Sequence, residues 1–276
     1  MAVDLSRLPW LVRAALVLVL AWAGLVRCSG PGRVPVNVRV EAATDSTVGI
    51  LWRSPAEGTP DRYSVYFKPL GETVYALVAE TTENEYVHDP QGRTGSYRVS
   101  AWFGGEEYVA SNSPGTIPIH TDTIAVAELN AAGNSGCGWE RATGKVRTFP
   151  MRNVDSQNRV DFYITDFKPA VSNQLPYSIA SPDMGPSDPA GVVPVGCWRR
   201  TFFTDPLASE NGPLPAYAPN TYFNYVDVYR TPCVVGCYTQ DGYYALIRVI
   251  ETNRENSWVQ LETWFQPVAG LRIIQH

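Results

Sequence analysis

Four cysteines from the middle of the chain onward, Cys137, Cys197, Cys233 and Cys237, are the residues of this chain best suited to covalent or metal chemistry. Two of them stand in "TPCVVGCY", which raises three uses: a metal clamp, a redox pair or a structural staple. The redox use fails on spacing, because three residues intervene where a C-x-x-C pair has two. Four thiolates can hold zinc in a tetrahedron, but such sites usually show two close pairs, and Cys137 and Cys197 lie about 60 residues apart. An even number of cysteines confined to one region of an exported chain points to two disulfides. Three pairings compete. Chain entropy gives about 4 kcal/mol for a loop of roughly 60 residues and about 2 kcal/mol for one of about 5, so a long-range staple is the larger gain.

Other chemistry-bearing residues are sparse. In "NVDSQNRVD" the acids Asp155 and Asp161 are interleaved with Gln157 and Arg159, so the stretch is not a calcium loop. The pairs Asp161/Asp166 and Asp183/Asp188 would serve a glycosidase only if folding set them about 5 to 9 Å apart across a groove, and solvated surface acids are the expectation. His88, His120 and His276 occupy poor positions for a shared acid–base site. No G-x-S-x-G, P-loop, H-E-x-x-H or EF-hand pattern occurs. The expectation is a protein without catalysis, metal or cofactor.

In "SWVQLETWFQP" strand alternation places Val259, Leu261 and Phe265 on one face and Trp258, Gln260, Glu262 and Trp264 on the other. Two indoles with an amide and a carboxylate between them could stack a sugar ring. The plainer expectation is that Pro-rich loops cover this face and each indole N–H meets a carbonyl.

The elements that must position such residues are bounded by composition. The chain has 276 residues, 45% hydrophobic and 12% aromatic, enough for two cores. Its formal charge is −5 with no block of like charge, which makes nucleic acid a poor partner. At the start, Arg7 and Arg13 precede an apolar run from Ala14 to Val26. Such a run spans about 20 Å as a helix against roughly 30 Å of bilayer hydrocarbon, so residues 1–28 read as an export signal rather than an anchor. Two processing schemes compete, an A-x-A site at Ala21 to Ala23 and a lipobox-like "LVRC" in which Cys28 would be acylated although Arg27 stands where a small residue is wanted. The expected location is outside the cytoplasm, with membrane attachment only through that lipid.

From 34 to 118 the pattern is short strands broken by Pro, Gly, Asp and Asn, the signature of an all-β sandwich. Alternation puts Val48, Ile50 and Trp52 on one inward face, Tyr63, Val65 and Phe67 on a second, and Tyr97, Val99 and Ala101 on a third. Trp102 has the opposite parity and faces outward. The lead-in at Pro35, Trp52 followed by Pro55, the "YSVYF" strand and "YRVSAWFGGEEYVASNSP" resemble a fibronectin type III domain. The resemblance implies a spacer or interaction module with no catalytic residues, in which Tyr97 makes a tyrosine corner by bonding its hydroxyl back to backbone. No Arg-Gly-Asp tripeptide occurs.

"GTIPIHTDT" then reads as a connection, and 119–276 as a second, mostly antiparallel β domain with long Pro-rich loops between Lys168 and Asn220. Only "DTIAVAELNAA" has a composition that would also suit a brief helix. The last hairpin is similar to that of HmuY-like haem-binding lipoproteins, whose haem ligands are histidines on the β scaffold; no histidine here matches one. The expected role is binding or interaction at a cell surface, the fibronectin-like domain presenting a stapled β domain to a protein or a glycan, with carbohydrate binding by Trp258 and Trp264 as the alternative and a hydrolase with a hidden site as a third reading.

Overall fold

The computed structural model describes residues 31–169 and 176–276, so the export signal and Cys28 lie outside the described residues. The first sandwich contains β1 (Val36–Ala42), β2 (Val48–Arg53), β3 (Arg62–Pro69), β4 (Ala76–Thr81), β5 (Glu85–His88), β6 (Gly95–Phe103) and β7 (Glu106–Val109). These form an antiparallel sheet in the order β1-β2-β5 facing another in the order β4-β3-β6-β7. All nine residues assigned inward by alternation are buried in the one core between them. The β6–β7 hairpin closes through Gly104 and Gly105, whose φ values of 57° and 88° are what a two-residue primed turn requires.

One side chain in this domain departs from expectation. The Tyr97 hydroxyl lies 3.0 Å from His88 Nδ1 and not against a backbone carbonyl. Burial pushes the Tyr97 hydroxyl up and the His88 ring down, which favours the neutral form of each, with Tyr97 buried and His88 half-buried. Trp102 does face outward, but Arg62 lies over its ring at 4.4 Å and its indole N–H donates to Ser64 Oγ at 2.9 Å.

The second sandwich holds β8 (Ile119–Ala127), β9 (Gly136–Trp139), β10 (Val146–Phe149), β11 (Phe162–Thr165), β12 (Tyr177–Ala180), β13 (Thr201–Phe203), β14 (Gly212–Pro213), β15 (Tyr225–Val228), β16 (Cys233–Thr239), β17 (Tyr244–Asn253), β18 (Trp258–Phe265) and β19 (Ile273–Ile274). Two five-stranded antiparallel sheets, β10-β9-β11-β12-β15 and β13-β16-β17-β18-β8, enclose a core that includes Phe162, Ile179, Val226, Val235, Ile247, Leu261 and Phe265. Among the described residues the fold is all-β apart from short 3-10 turns, as the strand-sized apolar runs require.

The segment expected to link the domains is different: residues from Ile119 onward already belong to β8, which pairs with β18 along its length. Polar residues at alternate positions, His120 and Asp122, made this strand read as loop. The stretch with helix-compatible composition continues this strand to Ala127 and then leaves it in a turn.

Pro-rich chain covers the outer face of each sheet of the second sandwich. Residues 182–198 bring Val193 and Trp198 against Tyr163 and Met151, while Leu214 and Tyr222 pack on Tyr244, Leu246 and Trp264. Proline suits these segments because they need no ladder donors. Each fully buried large side chain is worth about 1.5–3 kcal/mol relative to exposure, so the covers contribute to stability as well as shape.

The C-terminal strap ties the domains together. Val268, Leu271 and Ile273 insert into the core of the first sandwich. The Thr94 backbone N–H donates to Gln275 Oε1 at 3.0 Å and its hydroxyl to the Gln275 carbonyl at 2.9 Å. Arg272 pairs with Asp45 at 3.1 Å.

A candidate binding groove at a free sheet edge

Among the described residues β15 is the outermost strand of its sheet and pairs only with β12. Its alternation sends Val226 and Val228 into the core and leaves Tyr225, Asp227 and the following Tyr229 on the outside. Just before it, Phe223 exchanges both backbone hydrogen bonds with Phe203 of β13, each 2.8 Å long. Beyond that contact the chain parts, and a groove of about 330 Å³ opens, lined by Asp205, Pro206, Phe223, Tyr225, Asp227 and Tyr229.

The aromatic lining is accessible. Phe223 is 41% exposed, Tyr225 45% and Tyr229 77%, in a fold that buries most of its large rings. Phe167 packs edge-on against Tyr225 at 5.1 Å and holds that ring upright. Asp227 is fixed by two hydroxyls, Ser178 Oγ at 2.5 Å and Tyr229 Oη at 3.0 Å. A preset carboxylate beside accessible rings can take a hydrogen-bond donor or cation while the rings cover its apolar stem.

The residues singled out by sequence lie elsewhere. Trp264 is buried, with His120 stacked on one contact at 4.6 Å and His276 at 4.0 Å on another. Glu262 lies 3.0 Å from His120 Nε2 and 3.3 Å from Arg248, and Trp258 and Gln260 are half-buried. The four do share a face of β18, and Trp264 is covered by Leu214, Tyr222 and, from the tail, His276, so the alternative of an open platform of two indoles is closed there. Nothing local in the sequence announces that contact.

The cysteines are corrected more sharply: Cys137, Cys197, Cys233 and Cys237 are all free thiols, not two disulfides. Cys233 and Cys237 lie on one face of β16, four residues and therefore about 13 Å apart, too far for a bridge that needs Cα atoms within about 7 Å. Cys137, Cys233 and Cys237 are buried among core side chains, while Cys197 is exposed in the Pro-rich cover. Burial pushes the thiols of Cys137, Cys233 and Cys237 up, which keeps them protonated and unreactive. Among the described residues no group of three or more His, Cys, Asp or Glu could hold a metal.

The acids expected on the surface are instead structural. Asp161 is 1% exposed and accepts from Arg141 at 2.8 and 2.9 Å, from Arg199 Nε at 2.9 Å and from the Trp139 backbone N–H at 2.9 Å. Asp241 completes the network, bonded to Arg141 Nε and Arg199 Nη2, each at 2.7 Å. Burial alone would raise Asp241, but the hydrogen bonds from Arg141 and Thr239 and the two guanidinium charges outweigh it and hold the carboxyl well below the usual range. Asp188 is buried and accepts from Tyr163 and Thr165 at 3.0 and 2.9 Å. Asp183 accepts from Arg200 at 2.7 Å, and Asp166 is buried as well.

No family model matches this chain, and no curated protein matches it. The solved structures similar to it include a crystal structure of FN3tt, at 16% identity over 30% of this chain and 89% of that one, with a TM-score of 0.25. Titin kinase with its flanking domains aligns over 87% of this chain and 38% of its own length at 13% identity and a TM-score of 0.30. The FN1–FN3 domains of chicken CNTN1 align over 82% and 63% at 11% identity and a TM-score of 0.27. The sheets themselves make the chain an all-β protein of several antiparallel sheets.

Proposed function

We propose that this chain is a non-catalytic binding protein that works outside the cytoplasm, a clamped pair of β sandwiches whose ligand surface is the groove along β15. The observation that carries the reading is the accessibility of Phe223, Tyr225 and Tyr229 beside Asp205 and Asp227 on an unpaired edge. Export is supported by the basic and apolar pattern of residues 1–28. The fibronectin-like sandwich acts as a rigid mount, since the strap from Val268 to Gln275 joins it to the second domain. Surface plasmon resonance against a glycan panel and a library of extended peptides tests the reading. Any genuine ligand should lose affinity about 10-fold or more, roughly 1.4 kcal/mol, in the Tyr225→Ala/Tyr229→Ala variant at unchanged melting temperature. Unchanged affinity in that variant contradicts it.

A further inference from the structure

The two edges of β15 have opposite fates. On one side the Ser181 N–H donates to the Asn224 carbonyl at 2.8 Å, continuing the β12–β15 ladder in which Val226 faces Ile179 and Val228 faces Tyr177. On the other side Phe223 bonds to Phe203. In an antiparallel ladder successive residues point their backbone groups to alternate sides. Asn224, Val226 and Val228 therefore serve β12, while Tyr225 and Asp227 follow Phe223 and turn their N–H and C=O groups toward the groove. The Phe203–Phe223 contact is an isolated antiparallel bridge, and among the described residues no strand pairs with β15 on this side, where Asp205 and Pro206 line the groove.

An edge in this state is a template for another strand. Natural edges are blunted by short length, charge, proline or a bulge; β15, "YVDV", is short and carries one charge, Asp227, but has no lysine, proline or bulge, so its edge suits a short segment and favours one of opposite charge. The groove lining adds a charge preference, with two carboxylates, Asp205 and Asp227, and no basic side chain. We propose that β15 is a docking edge for an extended peptide that carries a basic side chain, the peptide pairing with the backbone of Tyr225 and Asp227. Its cationic group sits against the two carboxylates, with Tyr225, Tyr229 and Phe223 covering the stem. This names the partner class of the groove and rests on the reading of that groove as the ligand surface. A second copy of this chain fits less well, because pairing two β15 edges sets the Asp205 and Asp227 carboxylates of both copies beside one another.

Fluorescence anisotropy with labelled pentapeptides tests this. The probe Val-Arg-Val-Arg-Val is compared with Val-Glu-Val-Glu-Val and with the basic peptide N-methylated at alternate amides. The basic peptide is expected to bind about 10-fold or more tightly than both controls, a difference of about 1.4 kcal/mol. Tyr225→Pro removes the outward donor without touching the β12 ladder and should reduce binding by a similar factor. Asp205→Asn/Asp227→Asn should abolish the preference for the basic peptide. The N-methylated probe gives the same information on the unmutated chain if the proline variant folds poorly. Equal affinity for basic and acidic peptides, or indifference to N-methylation, overturns the proposal. So does a dimer in sedimentation velocity that Tyr225→Pro disperses. Should these peptides fail while some other ligand is lost in Tyr225→Ala/Tyr229→Ala, the groove remains the binding surface and only its partner class falls.

Discussion

The buried side-chain amide of Gln266 donates to the backbone carbonyl of Thr116 at 3.0 Å, joining the end of β18 to the chain just before β8. The same amide donates to the Ile273 carbonyl at 2.6 Å, and its oxygen accepts from the Val268 N–H at 3.1 Å. One side chain thus fixes the course of the strap that enters the first core. Gln266→Leu leaves those three backbone groups without partners, at a cost of about 1–3 kcal/mol. Limited proteolysis should then cut the strap between Val268 and Gln275 faster than in the unmutated chain, with the second sandwich still resistant. An unchanged digestion pattern contradicts this role.

Asp161 should be the most costly acid to remove. Its loss leaves Arg141 and Arg199 partly buried with a single carboxylate between them. Breaking a buried pair in this way costs about 3–5 kcal/mol, so Asp161→Ala should show a large drop in urea midpoint. A drop like that of an ordinary surface acid contradicts the network.

Glu128 is fully buried, and that burial pushes its carboxyl up to about 7 against the 4.5 of the free group, despite the Asn130 N–H bonded to it at 2.8 Å. Because the folded value lies above the unfolded one, its contribution is complete below about pH 4.5 and is lost as the pH rises through about 7. The melting temperature of the unmutated chain should therefore fall more between pH 5 and pH 8 than that of Glu128→Gln. Parallel profiles contradict it.

Thiol titration separates the cysteines. Of Cys137, Cys197, Cys233 and Cys237, only the exposed Cys197 should react with a thiol reagent in the native state, and the other three should follow on unfolding. Reductant should leave the melting temperature unchanged. A thermal shift with reductant would restore a cross-link between them.

The legible parts of this fold were those set by period-two alternation, where Val48, Ile50 and Trp52 needed no knowledge of the rest of the chain. The same logic applied to "CVVGC" carries the signal against a local disulfide, because four strand residues separate the two sulfurs by twice the span a bridge allows. What stayed hidden depends on topology. Trp264 reads as an outward ring until His276 arrives from the tail, and "NYVDVY" reads as an ordinary strand until the sheet order places it at an edge. Asp161 reads as a surface acid until Arg141 and Arg199 converge on it from separate loops.

The free edge of β15 is tested most directly by residue-resolved amide hydrogen exchange. In the free chain the amides of Tyr225 and Asp227 should exchange rapidly while those of Val226 and Val228, bonded into the β12 ladder, stay protected. Adding saturating Val-Arg-Val-Arg-Val should slow exchange at Tyr225 and Asp227 and leave the other two as they were. Protection of Tyr225 and Asp227 in the free chain, or no slowing with the peptide, would contradict the account.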